Sequence, residues 1–226
     1  MTKENDLTPS KMVKFLDWSY EKALNGLPKT PSAQELAESY LSKHRTIDDA
    51  IDALIKWQNT KAGTSGFLTG LGGAFTLPVA IPANLASVLY VQLRMVAAIA
   101  YMRGYDIRND QVKTLAFVAL TGQAASDILK EFGIRTSTSF LRVAIRKVPG
   151  EVIKKINQKV GFKLITKFGS KGVVNLVKLV PVAGGVIGAT VDVIGTNTIG
   201  KVAKDKLFID PPPSPPSSSP EPITIV

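Results

Sequence analysis

The chain has 226 residues, enough for one domain with a sizeable core, and its 45% apolar and 20% charged residues are typical of a folded protein. It contains no cysteine, which excludes disulfides, thiolate nucleophiles and cysteine-ligated metals and suits a reducing compartment. The formal net charge of +10 is concentrated in residues 130–178, where twelve basic side chains face only two acidic ones. The N-terminus is polar and mixed in charge, so we expect no signal peptide and predict a cytoplasmic location.

The first third of the chain has the periodicity of amphipathic helices. Thr8 and Pro9 form a cap and a helix-starting proline before Lys11–Asn25. One stripe of that segment carries Met12, Phe15, Leu16, Ser19 and Ala23. A second helix is predicted to open at Pro31 or Ser32, and the capping-box pattern Thr46–Asp49 opens a third. We assign residues 1–45 to N-terminal amphipathic helices.

An uncharged stretch of 32 residues, Ala62–Leu93, comes next. Glycine and proline punctuate its first half, and its second half continues to about Arg103 as one helix that is apolar on nearly every side. Such a helix is buried either in a protein core or in a bilayer. The stretch is long enough to cross a membrane. Its glycines, prolines and the following Arg94 favour insertion, a re-entrant hairpin or packing on a partner over a plain span.

The remaining segments are also predicted to be helical. They are Asp110–Thr121, short helices within Lys130–Lys147, the basic amphipathic segment Glu151–Phe168 and the glycine-rich Pro181–Ile194. Residues 209–226 form a Pro/Ser-rich segment that predicts a disordered tail. Because no period-two alternation occurs, we predict an all-α fold, a compact multi-helix bundle around a central apolar helix with glycine-rich helix packing.

Two blocks of sequence carry a family resemblance. They consist of Gly70–Pro78, Ile81–Asn84, Gln92–Met95 and Ala100–Asp106, and then of Val180–Gly188 and Asp192–Ala203. In this order they resemble the bacterial EcsC protein family over about Thr46–Phe208, so we assign residues 46–208 to an EcsC-like helical domain. The resemblance implies a fold and supplies no catalytic residues. Asn84 stands where the family has an acidic residue, so a role that needs a charge there is not implied.

Arg94 is the most unusual single residue, because it lies in the middle of the most apolar helix. A buried guanidinium needs a carboxylate or several carbonyls, since an unpaired buried charge costs several kcal/mol. Candidate carboxylates are Asp106, Asp127 and Asp192. One interpretation is an ion pair that ties the two apolar blocks together. The other is a buried polar site that binds an anionic group such as a lipid head group, formed by Arg94, Gln92, Asn84, Asp192 and Asp106.

A ridge of lysines gives the clearest mechanism. These lysines recur every four residues and are Lys155, Lys159, Lys163, Lys167 and Lys171. An apolar stripe follows one position later and consists of Ile156, Val160, Leu164 and Phe168. Adjacent stripes of this kind suit an interfacial helix whose lysines meet anionic head groups while the apolar side chains dip below them. The alternative is a solvated lysine face that the same apolar stripe packs onto the protein's own core.

Other motifs do not indicate an active site. His44, the single histidine, cannot form a histidine-based metal site, and we interpret it as a surface residue at a helix end. The glycines of Gly66–Gly73 and Gly184–Gly188 lack the context of phosphate or dinucleotide loops and are better explained by close helix packing. We therefore predict no catalytic residue, no metal and no cofactor.

Three functional hypotheses remain open. The first is a non-enzymatic protein on the cytoplasmic face of a membrane, bound to anionic lipid or to a membrane protein, with pore formation as a variant. The second is a soluble helical interaction module, for which a second copy of the chain is one candidate partner. The third is an enzyme with a pocket around Arg94. Aromatic residues interleave poorly with the basic segment and no nucleic-acid motif occurs in it, which argues against nucleic acid as a partner.

Overall fold

The computed structural model describes residues 7–28, 30–62, 78–79, 81, 83–136, 140–168 and 195–209. Its helices are α1 (Pro9–Asn25), α2 (Ala33–Leu41), α3 (Ile47–Ala62), α4 (Ala83–Met102), α5 (Asp110–Ala119), α6 (Ala125–Glu131), α7 (Phe140–Arg146) and α8 (Gly150–Phe168). Residues 195–202 form a further helix, the C-terminal helix, which continues into a π-helical turn, Ala203–Leu207, here called the C-terminal turn. Within these ranges no β-strand is present, and the predicted all-α fold is confirmed.

Local capping interactions start the first three helices where the sequence predicts. The Thr8 hydroxyl oxygen accepts a hydrogen bond from the Lys11 N–H at 3.2 Å. Ser32 and Glu35 form a reciprocal capping box at the start of α2. At α3 the Thr46 hydroxyl accepts from the Asp49 N–H at 3.1 Å. These side chains satisfy backbone donors that a helix leaves without intrahelical partners.

Helix α4 is the centre of the bundle, as predicted. Every residue from 89 to 100 is buried, and α4 packs against α1, α2, α3, α5 and the C-terminal turn. One core cluster extends from Met12 in α1 to Phe208 at the end of the C-terminal turn. The N-terminal helices thus share a core with the rest of the bundle, and the division between residues 45 and 46 stays a prediction. The glycine-rich Pro181–Ile194 and the predicted tail from residue 210 lie outside the described residues.

Two glycines let helices approach closely. A Cβ atom at Gly161 in α8 would lie 2.7 Å from the Pro9 carbonyl oxygen of α1. A Cβ atom at Gly200 in the C-terminal helix would lie 2.7 Å from Cγ1 of Ile55, which is buried in α3. Helix α8 continues through Gly161 without a break. Close helix packing at glycine is therefore present at these two crossings. The glycines for which the sequence predicted it, Gly66–Gly73 and Gly184–Gly188, lie outside the described residues.

Four charged residues tie the C-terminal turn to α3 and α4. The Lys204 Nζ atom lies 2.7 Å from a carboxylate oxygen of Asp52 and 3.4 Å from one of Asp48. Asp48 also accepts from Arg103 at 2.7 Å. Burial opposes ionisation of Asp48, but Arg103 and Lys204 outweigh that effect and lower the pKa of its carboxyl. The two carboxylates likewise outweigh burial at Lys204 and raise the pKa of its ammonium.

We expect a Lys204→Met variant to lose about 1 kcal/mol of unfolding free energy, because both carboxylates are largely exposed and solvent weakens their attraction. The contribution of Asp48 is present above its unfolded pKa of about 3.9 and is lost as the pH falls through its lowered folded value. The contribution of Lys204 to stability is present below its unfolded pKa of about 10.4 and is lost as the pH rises through its raised folded pKa. Urea unfolding measured across pH should therefore show that Lys204→Met loses the most unfolding free energy near neutral pH. Equal losses for the exposed Lys201→Met control would contradict this.

Candidate functional site

Helix α8 separates its apolar and its charged residues into two faces. Glu151 in its first turn and Lys167 in its last match the polarity of the helix dipole. Its inner face contacts α1, α5 and α6 through the buried residues Ile153, Ile156, Asn157, Val160, Gly161 and Leu164. The exposed residues, here called the outward face, are Glu151, Lys154, Lys155, Gln158, Phe162, Lys163, Thr166 and Lys167.

The apolar stripe predicted beside the lysine ridge belongs to the protein core. Ile156, Val160 and Leu164 are fully buried, and Phe168 is half-buried against the same cluster. Of the two interpretations of this stripe, packing on the protein's own core is the one that the structure shows. Those residues therefore do not reach a bilayer while α8 stays packed on α1 and α5.

The lysines of the ridge differ in their surroundings. Lys155 and Lys163 are exposed and form no ion pair with any described residue. Lys159 lies 2.9 Å from a carboxylate oxygen of Glu131 in α6. The ammonium of Lys167 lies 5.0 Å from the centroid of the Phe168 ring. Nearby protein atoms limit the hydration of this ammonium and lower its pKa, although the side chain as a whole is exposed. Lys171 lies outside the described residues.

Phe162 is an exposed aromatic residue that the sequence analysis did not single out. Its side chain is 54% exposed, the largest exposed fraction among the large apolar residues of the described ranges. It follows Lys155 by seven residues, two helical turns, and therefore lies on the same line of the helix surface. That spacing is visible in the sequence, but the regular apolar stripe of Ile156, Val160, Leu164 and Phe168 is the stronger periodic signal.

Arg94 is buried and contacts the segment before α2. Its Nη1 atom donates to the Pro31 carbonyl oxygen at 3.2 Å, and its guanidinium carbon lies 5.7 Å from the centroid of the Tyr90 ring. Burial lowers the pKa of Arg94, and the nearby Tyr90 and Tyr40 oppose that shift. This side chain thus helps to hold the connection between α1 and α2 against the central helix.

The structure separates two members of the predicted polar site, Gln92 and Asp106, from Arg94. Gln92 precedes Arg94 by two residues and so lies about 200° away around the axis of α4. Its amide donates to the Thr196 hydroxyl at 3.1 Å, on the side of the C-terminal helix. Asp106 is exposed in the turn after α4 and accepts from the Arg108 N–H. Asp127 is exposed on α6. The predicted pairing with Arg94 is not made by either carboxylate, because both lie at the surface while Arg94 lies in the core.

Two further predicted residues, Asn84 and Asp192, lie partly or wholly outside the described residues. Asn84 belongs to the first turn of α4, but its side chain lies outside what the structure describes, and so does all of Asp192. His44 is partly buried, with Nδ1 2.9 Å from the Tyr40 carbonyl oxygen and its ring stacked on Tyr40. That is the local helix-end position predicted for it.

An open depression of about 680 Å³ lies beside the segment that Arg94 contacts. Its lining residues are Asn25, Gly26, Leu27, Pro28, Thr30, Pro31 and Glu35. Among the described residues of that lining Glu35 is the one that ionises, and its carboxylate already caps α2. Across the ranges that the structure describes, no cluster of three or more His, Asp and Glu side chains could hold a metal ion.

Helix α4 has the length and composition of a membrane span. The segment Leu85–Met102 has a mean hydropathy of 1.6, and 78% of it is buried inside the structure. No other helix of the described ranges meets the same criteria. A single helix of this kind is weak support for a membrane span, because the core helix of a soluble protein has the same properties.

The sequence model of the EcsC protein family matches residues 1–207. The chain belongs to the EcsC protein family. The match includes the N-terminal helices as well as the two blocks that carry the resemblance. No curated protein and no solved structure matches the chain. Membership in the EcsC family therefore establishes kinship over most of the chain, and the residues themselves must indicate the function.

Proposed function

We propose that this protein is a peripheral membrane protein that binds anionic phospholipid through the outward face of α8, on the cytoplasmic side of the membrane. The observation that carries the proposal is the exposed Phe162 ring among the exposed lysines of that face. Interfacial segments combine lysines that attract anionic lipid with apolar side chains that enter the boundary between head groups and acyl chains. This face offers several lysines and one such side chain, Phe162.

The charge of this region supports an anionic partner. Residues 130–178 contain ten more basic than acidic side chains, whereas basic and acidic residues balance in the rest of the chain. Of the two acidic residues in this stretch, Glu131 pairs with Lys159 and Glu151 pairs with Lys154. Each lysine near an anionic bilayer contributes about 1 kcal/mol of attraction, which falls off within a Debye length.

We expect a Lys155→Gln/Lys163→Gln variant to bind anionic vesicles about thirtyfold more weakly than the wild type, because two contributions of about 1 kcal/mol are lost. The measurement is co-sedimentation with vesicles of equal parts phosphatidylglycerol and phosphatidylcholine at about 0.1 M salt. Pure phosphatidylcholine vesicles should bind neither protein. Dye leakage from the same vesicles tests the pore-forming variant.

The matched control changes the same number of charges elsewhere. Lys43 and Lys201 are exposed and lie outside α8, so Lys43→Gln/Lys201→Gln should bind nearly as well as the wild type. Equal weakening by both double variants would mean that net charge alone drives binding, which contradicts a defined face. Wild-type protein that ignores anionic vesicles, or that binds a generic oligonucleotide more tightly than the vesicles, would also overturn the proposal.

The burial of α4 favours a second candidate, a soluble helical interaction module. The most apolar helix of the described residues is enclosed by α1, α2, α3 and α5, as in the core of a water-soluble domain. On this hypothesis the outward face of α8 binds an acidic protein surface. The vesicle experiment separates the two candidates, because this module stays in the supernatant with anionic vesicles.

A further inference from the structure

Phe162 lies near the centre of the outward face of α8. At about 100° per residue, Lys155 and Thr166 lie close to the same line along the helix. Lys163 and Lys159 lie on one flank of that line, and Lys154 lies on the other. Glu151, the one acid on this face, is eleven residues away, about 16 Å along the helix, and its carboxylate lies 3.1 Å from the Lys154 ammonium. Among the exposed residues of α8, those nearest to Phe162 are thus cationic or neutral polar.

The packing of α8 fixes the direction in which Phe162 points. Gly161, its neighbour in sequence, lies so close to the Pro9 carbonyl and to Val13 that a Cβ atom would be 2.7 Å from the carbonyl oxygen. Ile156, Val160 and Leu164 are buried on the same inner side. A rotation of α8 about its axis would remove these contacts, so the Phe162 ring is held away from the bundle.

We propose that Phe162 inserts below the head groups of an anionic bilayer, while α8 lies parallel to the membrane surface as part of the folded bundle. This inference rests on the proposed function and specifies its geometry. Lys155 and Lys163 then lie at the level of the lipid phosphates, and the ring enters the boundary between head groups and acyl chains, about 5–10 Å deep. The chemistry recognised is a phosphate that is attached to an apolar layer.

A Phe162→Ala variant should partition into anionic vesicles about ten- to a hundredfold more weakly than the wild type, because the burial of a phenylalanine side chain is lost. Salt separates this contribution from that of the lysines, since the Debye length falls to about 3 Å at 1 M. The residual binding of the wild type at that salt concentration should therefore disappear in Phe162→Ala.

The depth of position 162 in the bilayer can be measured directly, because the chain has no cysteine and an introduced one is the only thiol to label. A Phe162→Cys variant with an environment-sensitive fluorophore carries a single label. On anionic vesicles its emission should shift to the blue, and a nitroxide at the top of the lipid acyl chain should quench it. The exposed Lys43→Cys position, labelled in the same way, should show neither effect. Inorganic phosphate and glycerophosphate should leave the emission at position 162 unchanged, because neither offers an apolar layer.

The outcomes distinguish the inference from the function on which it rests. If the wild type and the labelled Phe162→Cys variant both fail to co-sediment with anionic vesicles, the proposed function is wrong. If they co-sediment but the label at position 162 stays in water, the function stands and the insertion of Phe162 is wrong. Equal quenching at positions 162 and 43 would also overturn the proposed orientation. A response to free phosphate that matches the response to vesicles would show an ion site without insertion.

Discussion

The free energy of unfolding of an Arg94→Ala variant should be about 2–5 kcal/mol lower than that of the wild type. The substitution leaves a cavity beside Tyr90 in the central helix and removes the donor to the Pro31 carbonyl oxygen. Both losses fall where α4 meets the connection between α1 and α2. Urea unfolding followed by far-ultraviolet circular dichroism measures the difference. Arg108→Ala, at an exposed arginine, should change the free energy by less than about 0.5 kcal/mol.

A second substitution separates packing from hydrogen bonding at this position. Arg94→Met keeps most of the volume but leaves the Pro31 carbonyl without this donor, so we expect a smaller loss of about 1–3 kcal/mol. Stability close to the wild type in both variants would show that the guanidinium has no structural role. If the alanine variant were stable and yet failed to bind anionic vesicles, Arg94 would belong to an anion-binding site after all.

A Gly161→Ala variant should lose about 1–3 kcal/mol of unfolding free energy. The added methyl group would lie 2.7 Å from a backbone carbonyl oxygen of α1 and 3.2 Å from a methyl carbon of Val13. Helices α1 and α8 must therefore separate, and the backbone oxygen cannot move aside as a flexible side chain could. The higher helix propensity of alanine, about 1 kcal/mol, offsets part of this loss.

The control for Gly161 lies in the same helix. A Cβ atom at Gly150 would have no atom within 4 Å, so Gly150→Ala should be neutral or slightly stabilising. Equal effects of the two alanines would contradict the close crossing of α1 and α8. Because that crossing also orients Phe162, vesicle binding should weaken in Gly161→Ala and remain unchanged in Gly150→Ala.

Much of the helix pattern could be predicted from the sequence, because it depends on local interactions. The caps at Thr8, Ser32 and Thr46 act within one turn of their helices. The uniformly apolar α4 has no polar side to expose and must be enclosed, whatever encloses it. The two blocks that resemble the EcsC family can likewise be recognised from the order of residues along the chain.

Contacts between distant segments could not be predicted in the same way. The sequence indicated that Arg94 needs a partner and offered three carboxylates. Asp106 and Asp127 lie at the surface and Asp192 lies outside the described residues, while the guanidinium donates to the Pro31 carbonyl oxygen, an acceptor that the sequence did not indicate. The same holds for Gln92, whose partner Thr196 lies 104 residues away. A linear pattern shows that a buried polar group needs a partner, and only the packing of helices selects which one.

The basic segment illustrates the same division. The sequence alone determined that Glu151–Phe168 would form an amphipathic helix with lysines beside an apolar stripe, because helical periodicity depends on neighbours three and four residues apart. Only the tertiary structure decided that Ile156, Val160 and Leu164 pack on α1 and α5, and that Phe162 is the aromatic residue left in solvent. The physical reason is that burial depends on which surfaces meet in space, and an amphipathic stripe is equally apolar toward a core and toward a bilayer.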